Sequence, residues 1–174
     1  ESVKISNAPT DAPDRTRVTV EVVEQSTGEL SIGAGVSSDS GLLANMSIRE
    51  RNLLGRGQDL LLSFALSFDD QQIDLSFTEP YFLNRPLAAV IDLFAAEQDN
   101  DDESNFSQES IGAGVRLGYS LSRNWRQTWG YQLRQDDIQA DANASRFILA
   151  QDGLSVTSRV SHRLSYDVTN NRFQ

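Results

Sequence analysis

The sequence predicts an all-β protein, an antiparallel transmembrane β-barrel, and three observations support this. Segments of about ten residues alternate between apolar and small polar side chains, which places the two kinds on opposite faces of a strand. Turns rich in Gly, Asp and Asn separate the segments. The apolar faces hold Leu, Ile, Val, Ala and Phe, whereas the polar faces carry no lysine. Repetition of this pattern is typical of barrels that cross a membrane with strands.

The first barrel strand illustrates the pattern. Leu30, Ile32, Ala34 and Val36 share one face, and Ser31, Gly33 and Gly35 share the other. The same alternation recurs along the chain and predicts eight meander strands. We expect these strands at residues 28–37, 42–51, 58–67, 72–78, 86–96, 107–120, 125–136 and 153–167.

The connections between strands alternate in character. Those after strands two, four and six are compact, whereas those after strands five and seven are long and polar, at about 97–104 and 137–152. Outer-membrane barrels have short periplasmic turns and longer external loops, so strand one is expected to run outward from the periplasm. Four aromatic residues then lie near the periplasmic ends and predict an interfacial girdle: Tyr81, Phe82, Trp125 and Tyr166. Within the second long connection, the apolar segment 146–150 is expected to form a short helix or a strand extension.

Residues 1–27 differ from the rest. Residues 17–24 alternate β-branched apolar residues with charged ones, as in an edge strand of a soluble sheet. Residues 12–14 predict a turn before this strand, and residues 25–28 a short linker after it. We therefore place a domain boundary between residues 1–27 and 28–174.

Composition excludes several functions. The net charge of −10 leaves no basic stripe for nucleic-acid binding. The chain has no cysteine, and His162 is its only histidine, so neither a metal site nor a catalytic centre is expected. No run of eighteen apolar residues is present, yet a spanning strand needs only about 9–11 residues. The sequence predicts a protein that is not an enzyme and has no cofactor.

Charged residues on the polar faces are expected to line the lumen of the barrel, where mutual pairing would lower the cost of holding charge. A soluble barrel with its apolar face inside, binding an apolar ligand, is the alternative interpretation. Eight strands can close alone, but the chain ends soon after strand eight, so half of a larger barrel is expected. The predicted lumen charges are Arg49, Asp59, Asp74, Asp92, Arg116, Arg134, Arg159 and Arg163.

Four segments together resemble one family. Residues 20–24 running into 27–37 resemble the junction between the last POTRA domain and the first barrel strand of the BamA family. Residues 51–57 (RNLLGRG) resemble that family's turn after the second strand, and residues 77–82 (FTEPYF) its turn after the fourth. Residues 166–173 (YDVTNNRF) resemble its eighth-strand exit. The four matches occur in the family's order and spacing.

The resemblance implies a role in inserting nascent proteins into the bacterial outer membrane. It implies that residues 1–27 are the C-terminal end of the last periplasmic POTRA domain, and that residues 28–174 are strands one to eight of a sixteen-stranded barrel. The implied partners are nascent outer-membrane β-barrel proteins, outer-membrane lipids and periplasmic assembly lipoproteins of the same machine. A related translocation or secretion pore is the alternative.

The resemblance also suggests a mechanism. The family's first and last strands meet in a weak seam, and an exposed strand edge is a template for another strand. We expect the backbone of strand one to provide that edge, although its glycines could instead relieve crowding inside a curved barrel. The predicted pairing residues are Glu29, Leu30, Ser31, Ile32, Gly33, Ala34, Gly35, Val36 and Ser37.

Overall fold

The computed structural model describes residues 2–9, 16–23, 26–37 and 41–169, without the side chains of Ser2, Val23, Asp102 and Glu103. Parts of the sequence predictions lie outside these residues. They are the turn at 12–14, residue 24 of the predicted edge strand, residue 25 of the predicted linker, positions 38–40 between the first two predicted barrel strands, and half of the eighth-strand exit, from residue 170 onward.

The N-terminal part forms an antiparallel hairpin of two strands, β1 (Ser2–Pro9) and β2 (Thr16–Val23). The sequence predicted β2 but missed β1, in which only two apolar residues alternate before Asn7. The register places Val3 opposite Val22 and Ile5 opposite Val20. These four side chains therefore share one face, and each is more than half exposed.

The remaining strands form one antiparallel sheet in meander order, and this confirms the predicted fold class. All eight predicted strands are present, the first with the predicted bounds and the others shifted by a few residues. Their bounds are β3 (Gly28–Ser37), β4 (Gly41–Leu53), β5 (Gln58–Leu66), β6 (Asp70–Glu79), β7 (Leu87–Asp99), β8 (Phe106–Ser120), β9 (Trp125–Ala140) and β10 (Gly153–Tyr166).

The connections contain the only helical turns seen in the described part of the chain. A single 3₁₀ turn (Phe82–Asn84) joins β6 to β7, and α1 (Asp101–Ser104) joins β7 to β8. The apolar segment between β9 and β10 forms α2 (Arg146–Leu149), where the Ser145 hydroxyl accepts the Ile148 N–H at 3.4 Å. No helix among the described residues is long and apolar enough to cross a membrane.

The two long connections are shorter than predicted because β7 and β9 continue into them. Glu97 lies opposite Glu109, and Glu109 lies opposite Asp137 in the next strand. Backbone pairing thus continues where the apolar alternation has already ended. The alternation reports only the apolar part of each strand, so residues 97–99 and 137–140 were wrongly assigned to loops.

The sheet has an apolar face and a polar face, and the apolar face is exposed. Side chains on the apolar face include Ile32 at 74% exposure, Ile111 at 59% and Val160 at 71%. Among the described residues, Ala144 is the only buried hydrophobic side chain. A soluble barrel folded around its apolar face would bury such residues as a core, and the described part of the chain has no core of this kind.

Candidate functional site

The first feature of interest is an open edge of the sheet. Strand β3 pairs with β4 along its whole length, from Gly28 opposite Glu50 to Ser37 opposite Gly41. Within the described residues, no other strand lies beside β3, and β10 forms the opposite edge of the sheet. An edge strand presents backbone N–H and C=O groups to an incoming strand. The structure therefore places the predicted residues Glu29–Ser37 on a strand edge.

The two glycines of β3 have different surroundings. A Cβ at Gly33 would lie 2.5 Å from Asn45 Oδ1 on the neighbouring strand, whereas a Cβ at Gly35 would meet nothing within 4 Å. A side chain at position 33 would have to displace the Asn45 amide, whereas a side chain at position 35 would displace nothing, so relief of crowding does not explain Gly35. On the opposite face, Leu30 and Val36 are 60% and 85% exposed, so few side-chain contacts hold β3 in place.

Polar side chains link β3 to β4 at the Gly28 end. Glu29 Oε2 lies 2.9 Å from an Arg51 guanidinium nitrogen. The Thr27 hydroxyl donates a hydrogen bond to Glu50, whose Oε1 also accepts the Asn52 N–H at 2.9 Å. These links were not predicted from the sequence. Glu29 and Arg51 come from segments more than twenty residues apart, and only the strand register brings them together.

The second feature is a set of charged residues that share the polar face, which we call the charged wall. The register of β3–β10 places all of its members on the same face of the sheet. Its members are the eight residues named from the sequence: Arg49, Asp59, Asp74, Asp92, Arg116, Arg134, Arg159 and Arg163.

Two ion pairs join members of the charged wall across neighbouring strands. Arg49 contacts both carboxylate oxygens of Asp59, with the shortest N–O distance 2.5 Å. Arg116 contacts both oxygens of Asp92 through Nε and a terminal nitrogen, each at 2.9 Å, and the Ser76 hydroxyl donates to the same carboxylate at 2.8 Å. Two-point contacts of this kind fix geometry as well as charge.

Arg134 contacts two residues that were not predicted from the sequence. Its Nε donates to Asp136 at 2.7 Å, and a terminal nitrogen donates to the Ser110 hydroxyl at 3.0 Å. Ser110 is 9% exposed and donates in turn to Asp136 at 2.6 Å. Asp136 could have been found from the sequence, because it lies two residues after Arg134 and so shares its face.

The other members of the charged wall are less well paired. Asp74 accepts a hydrogen bond from Gln72 at 2.8 Å. In the part of the chain that the structure covers, Arg159 and Arg163 form no ion pair. Both lie on β10, opposite Gln132 and Thr128, so the neighbouring strand offers them no carboxylate.

Aromatic contacts cluster on the apolar face at one end of β9 and β10. The Trp125 and Tyr166 ring centroids lie 4.6 Å apart, and His162 stacks on Trp129 at 4.2 Å. Residues with an apolar body and a polar tip suit a membrane interface. No three His, Asp or Glu side chains within the described ranges come together in a way that could hold a metal ion.

Comparisons with known proteins agree with this architecture. The Omp85 superfamily domain model matches residues 52–174. The chain is 29% identical over 165 residues to the outer membrane protein assembly factor BamA of Nitratidesulfovibrio vulgaris, covering 94% of the chain and 20% of that protein. It is 28% identical over 122 residues to the BamA of Neisseria meningitidis serogroup B, covering 68% of the chain and 15% of that protein. The chain thus spans at most about a fifth of the length of these relatives.

A solved structure supports the fold. The crystal structure of BamA from Haemophilus ducreyi lacking POTRA domains 1–3 superposes on 99% of the chain and 36% of its own length, with a TM-score of 0.69 and 22% sequence identity. The family model covers more than two-thirds of the chain, and the polar and apolar faces follow the pattern of an outer-membrane barrel wall. This chain belongs to the Omp85 superfamily, and it covers the N-terminal part of a barrel of the BamA type.

Proposed function

We propose that this chain is part of a machine that folds and inserts β-barrel proteins into the bacterial outer membrane, with the open edge of β3 as the template for an incoming strand. The observation that carries the proposal is the similarity of the chain to BamA proteins, which are named as outer membrane protein assembly factors. Strand β3 is the first strand of the sheet, and its exposed side chains and two glycines leave its backbone accessible to a partner strand. The machine acts without an enzymatic step.

Backbone hydrogen bonds are the main source of affinity in this mechanism. In an antiparallel pair, alternate residues direct both backbone groups to the same side, so ten residues offer about ten hydrogen bonds to a partner. Each is worth about 0.5–1.5 kcal/mol net. Because side chains contribute little, strands of many sequences can pair with the same edge.

We also propose which environment each part of the chain occupies. Residues 1–27 form the C-terminal end of the last POTRA domain in the periplasm, and the exposed Val and Ile face of the β1–β2 hairpin supports this because such a face packs on the rest of a domain. The apolar face of β3–β10 contacts outer-membrane lipids, and the charged wall lines the lumen. Nascent outer-membrane β-barrel proteins are the substrates, and periplasmic assembly lipoproteins are further partners.

Cysteine crosslinking tests the template role. Single cysteines are placed at positions 29–37 in the intact protein, and covalent adducts with the terminal strand of a stalled β-barrel substrate are measured in outer membranes. Ser76→Cys is the control, because β6 is paired on both sides. We expect adducts at alternate positions of β3 and none at the control.

Absence of adducts at every position from 29 to 37, with normal protein levels, would contradict the template role. Adducts confined to the polar faces of the other strands, for example with Gln132→Cys, would instead indicate a translocation pore whose substrate passes through the lumen.

A further inference from the structure

The register of β3 on β4 depends on cross-strand side chains as well as on the hairpin connection between the two strands. The polar face of β3 carries only Ser31, Gly33 and Gly35 between Glu29 and Ser37, and glycine-rich edge strands are prone to slip along their partner. A slip of one residue would move Leu30 to the polar face, and the two-faced pattern excludes it. A slip of two residues keeps every side chain on its own face, so the hairpin connection and the cross-strand contacts have to oppose it.

In one direction, a two-residue slip places Glu29 opposite Ser47 in place of Arg49. Arg49 then takes the place that Arg51 holds now, at 2.9 Å from Glu29, but Arg49 already contacts both carboxylate oxygens of Asp59. The same slip brings Ser31 opposite Asn45, at the place where a Cβ on Gly33 would lie 2.5 Å from Asn45 Oδ1. This slip therefore makes Glu29 compete with Asp59 for Arg49, and it requires the Asn45 amide to turn aside from the Cβ of Ser31.

In the other direction, Glu29 lies opposite Arg51, its present ion-pair partner, and a glycine, Gly35, again lies opposite Asn45. Neither of these two changes opposes the slip. This slip places Leu30 opposite Glu50 in place of Ile48, and it withdraws Thr27 from the Glu50 carboxylate. An apolar residue opposite a carboxylate replaces an aliphatic cross-strand pair, so Glu50 is the residue that opposes this slip.

We propose that Glu29 with Arg51, and Glu50 with Thr27, set the register of β3, and thereby the register in which the edge is presented to an incoming strand. Glu29 and Glu50 are positioning residues, since they act through the backbone of β3. The significance of this register for a substrate rests on the function proposed above. The register itself does not depend on that function.

Disulfide mapping in the intact protein, in outer membranes, tests the proposal. Directly opposed residues of a sheet lie within disulfide reach, and residues two positions further along do not. Ile32 is opposite Met46 in the present register. The cysteine pair 32/46 therefore reports the present register. The pair 32/44 reports the slip that places Glu29 opposite Ser47, and the pair 32/48 reports the slip that places Glu29 opposite Arg51. All of these positions lie on the apolar face, away from Glu29.

Two substitutions are expected to move the crosslink, and each has a matched control. Glu50→Leu favours the slip that places Leu30 opposite residue 50, so the 32/46 disulfide should fall several-fold while 32/48 rises. Glu50→Gln keeps an acceptor for Thr27 and should retain 32/46. Glu29→Ala combined with Asn45→Ala should raise 32/44, whereas Asn45→Ala alone should not.

The outcomes separate this inference from the proposed function. If Glu50→Leu and the Glu29→Ala/Asn45→Ala protein both keep 32/46 as the dominant disulfide, the register proposal is wrong, whatever substrates do. If the disulfides shift but no substrate adduct forms on β3 of the unsubstituted protein, the register proposal stands and the template role fails. Should Glu50→Leu fail to accumulate, the Glu29→Ala/Asn45→Ala arm decides the question alone.

Discussion

Gly112→Ala is expected to destabilise the sheet, although it adds a single methyl group. A Cβ at Gly112 would lie 2.7 Å from the backbone carbonyl oxygen of Leu133, and it would also overlap the ring of Phe94. A backbone oxygen in a paired strand cannot move aside without disturbing the ladder between β8 and β9. Overpacking of this kind costs about 1–3 kcal/mol.

Gly114→Ala is the matched control, two residues along on the same face of β8. Its Cβ would lie 3.5 Å from the Tyr131 carbonyl oxygen, an ordinary contact. Replacing glycine by alanine within a strand is favourable by about 0.5–1 kcal/mol. Urea unfolding of the intact protein in lipid vesicles, followed by tryptophan fluorescence, measures the difference. Equal stabilities of the two variants would refute the packing argument at Gly112.

Three further predictions concern the two faces and one strained turn. Leu62→Arg, on the apolar face, is expected to cost about 2–4 kcal/mol in the same unfolding assay, whereas Ser63→Arg, on the polar face and opposite Asp74, should cost far less; equal costs would contradict the assignment of faces. Leu54→Gly is expected to raise stability by up to about 1 kcal/mol, because this exposed residue has φ 55°; a loss would show that Leu54 makes contacts in the intact protein. A double-mutant cycle on Arg116→Ala and Asp92→Ala should give a coupling of about 0.2–1 kcal/mol, because half of the arginine side chain is exposed; zero coupling would mean that the pair is not formed.

Much of the fold could be predicted from the sequence because alternation is a local property. The bounds of β3 follow directly from Leu30, Ile32, Ala34 and Val36, and the parity of each strand also assigned the charged residues to one face. The outer parts of β7 and β9 could not be predicted, because Glu97 and Asp137 have low strand propensity. Cross-strand backbone pairing holds them in strands instead.

The candidate site was predictable only in part. The edge residues followed from the resemblance, but the links that hold this edge depend on which residues of β4 lie opposite β3. The residues around Glu29 and Glu50 in the sequence form no pattern that indicates Arg51 or Thr27 as their partners. Strand β1 was missed for a similar reason, since only its pairing with β2 shows that Val3 and Ile5 belong to a sheet.

The measurement that tests the central claim most directly is the environment of spin labels on the two faces. Labels at Ile91 and Val115 represent the apolar face, and labels at Ser76 and Gly114 the polar face. In the intact protein in lipid vesicles, we expect the first two to collide with dissolved oxygen and to be shielded from a water-soluble nickel chelate, and the second two to show the reverse. Labels at Ile91 and Val115 that the nickel chelate reaches as readily as those at Ser76 and Gly114 would contradict a barrel wall with its apolar face in the membrane.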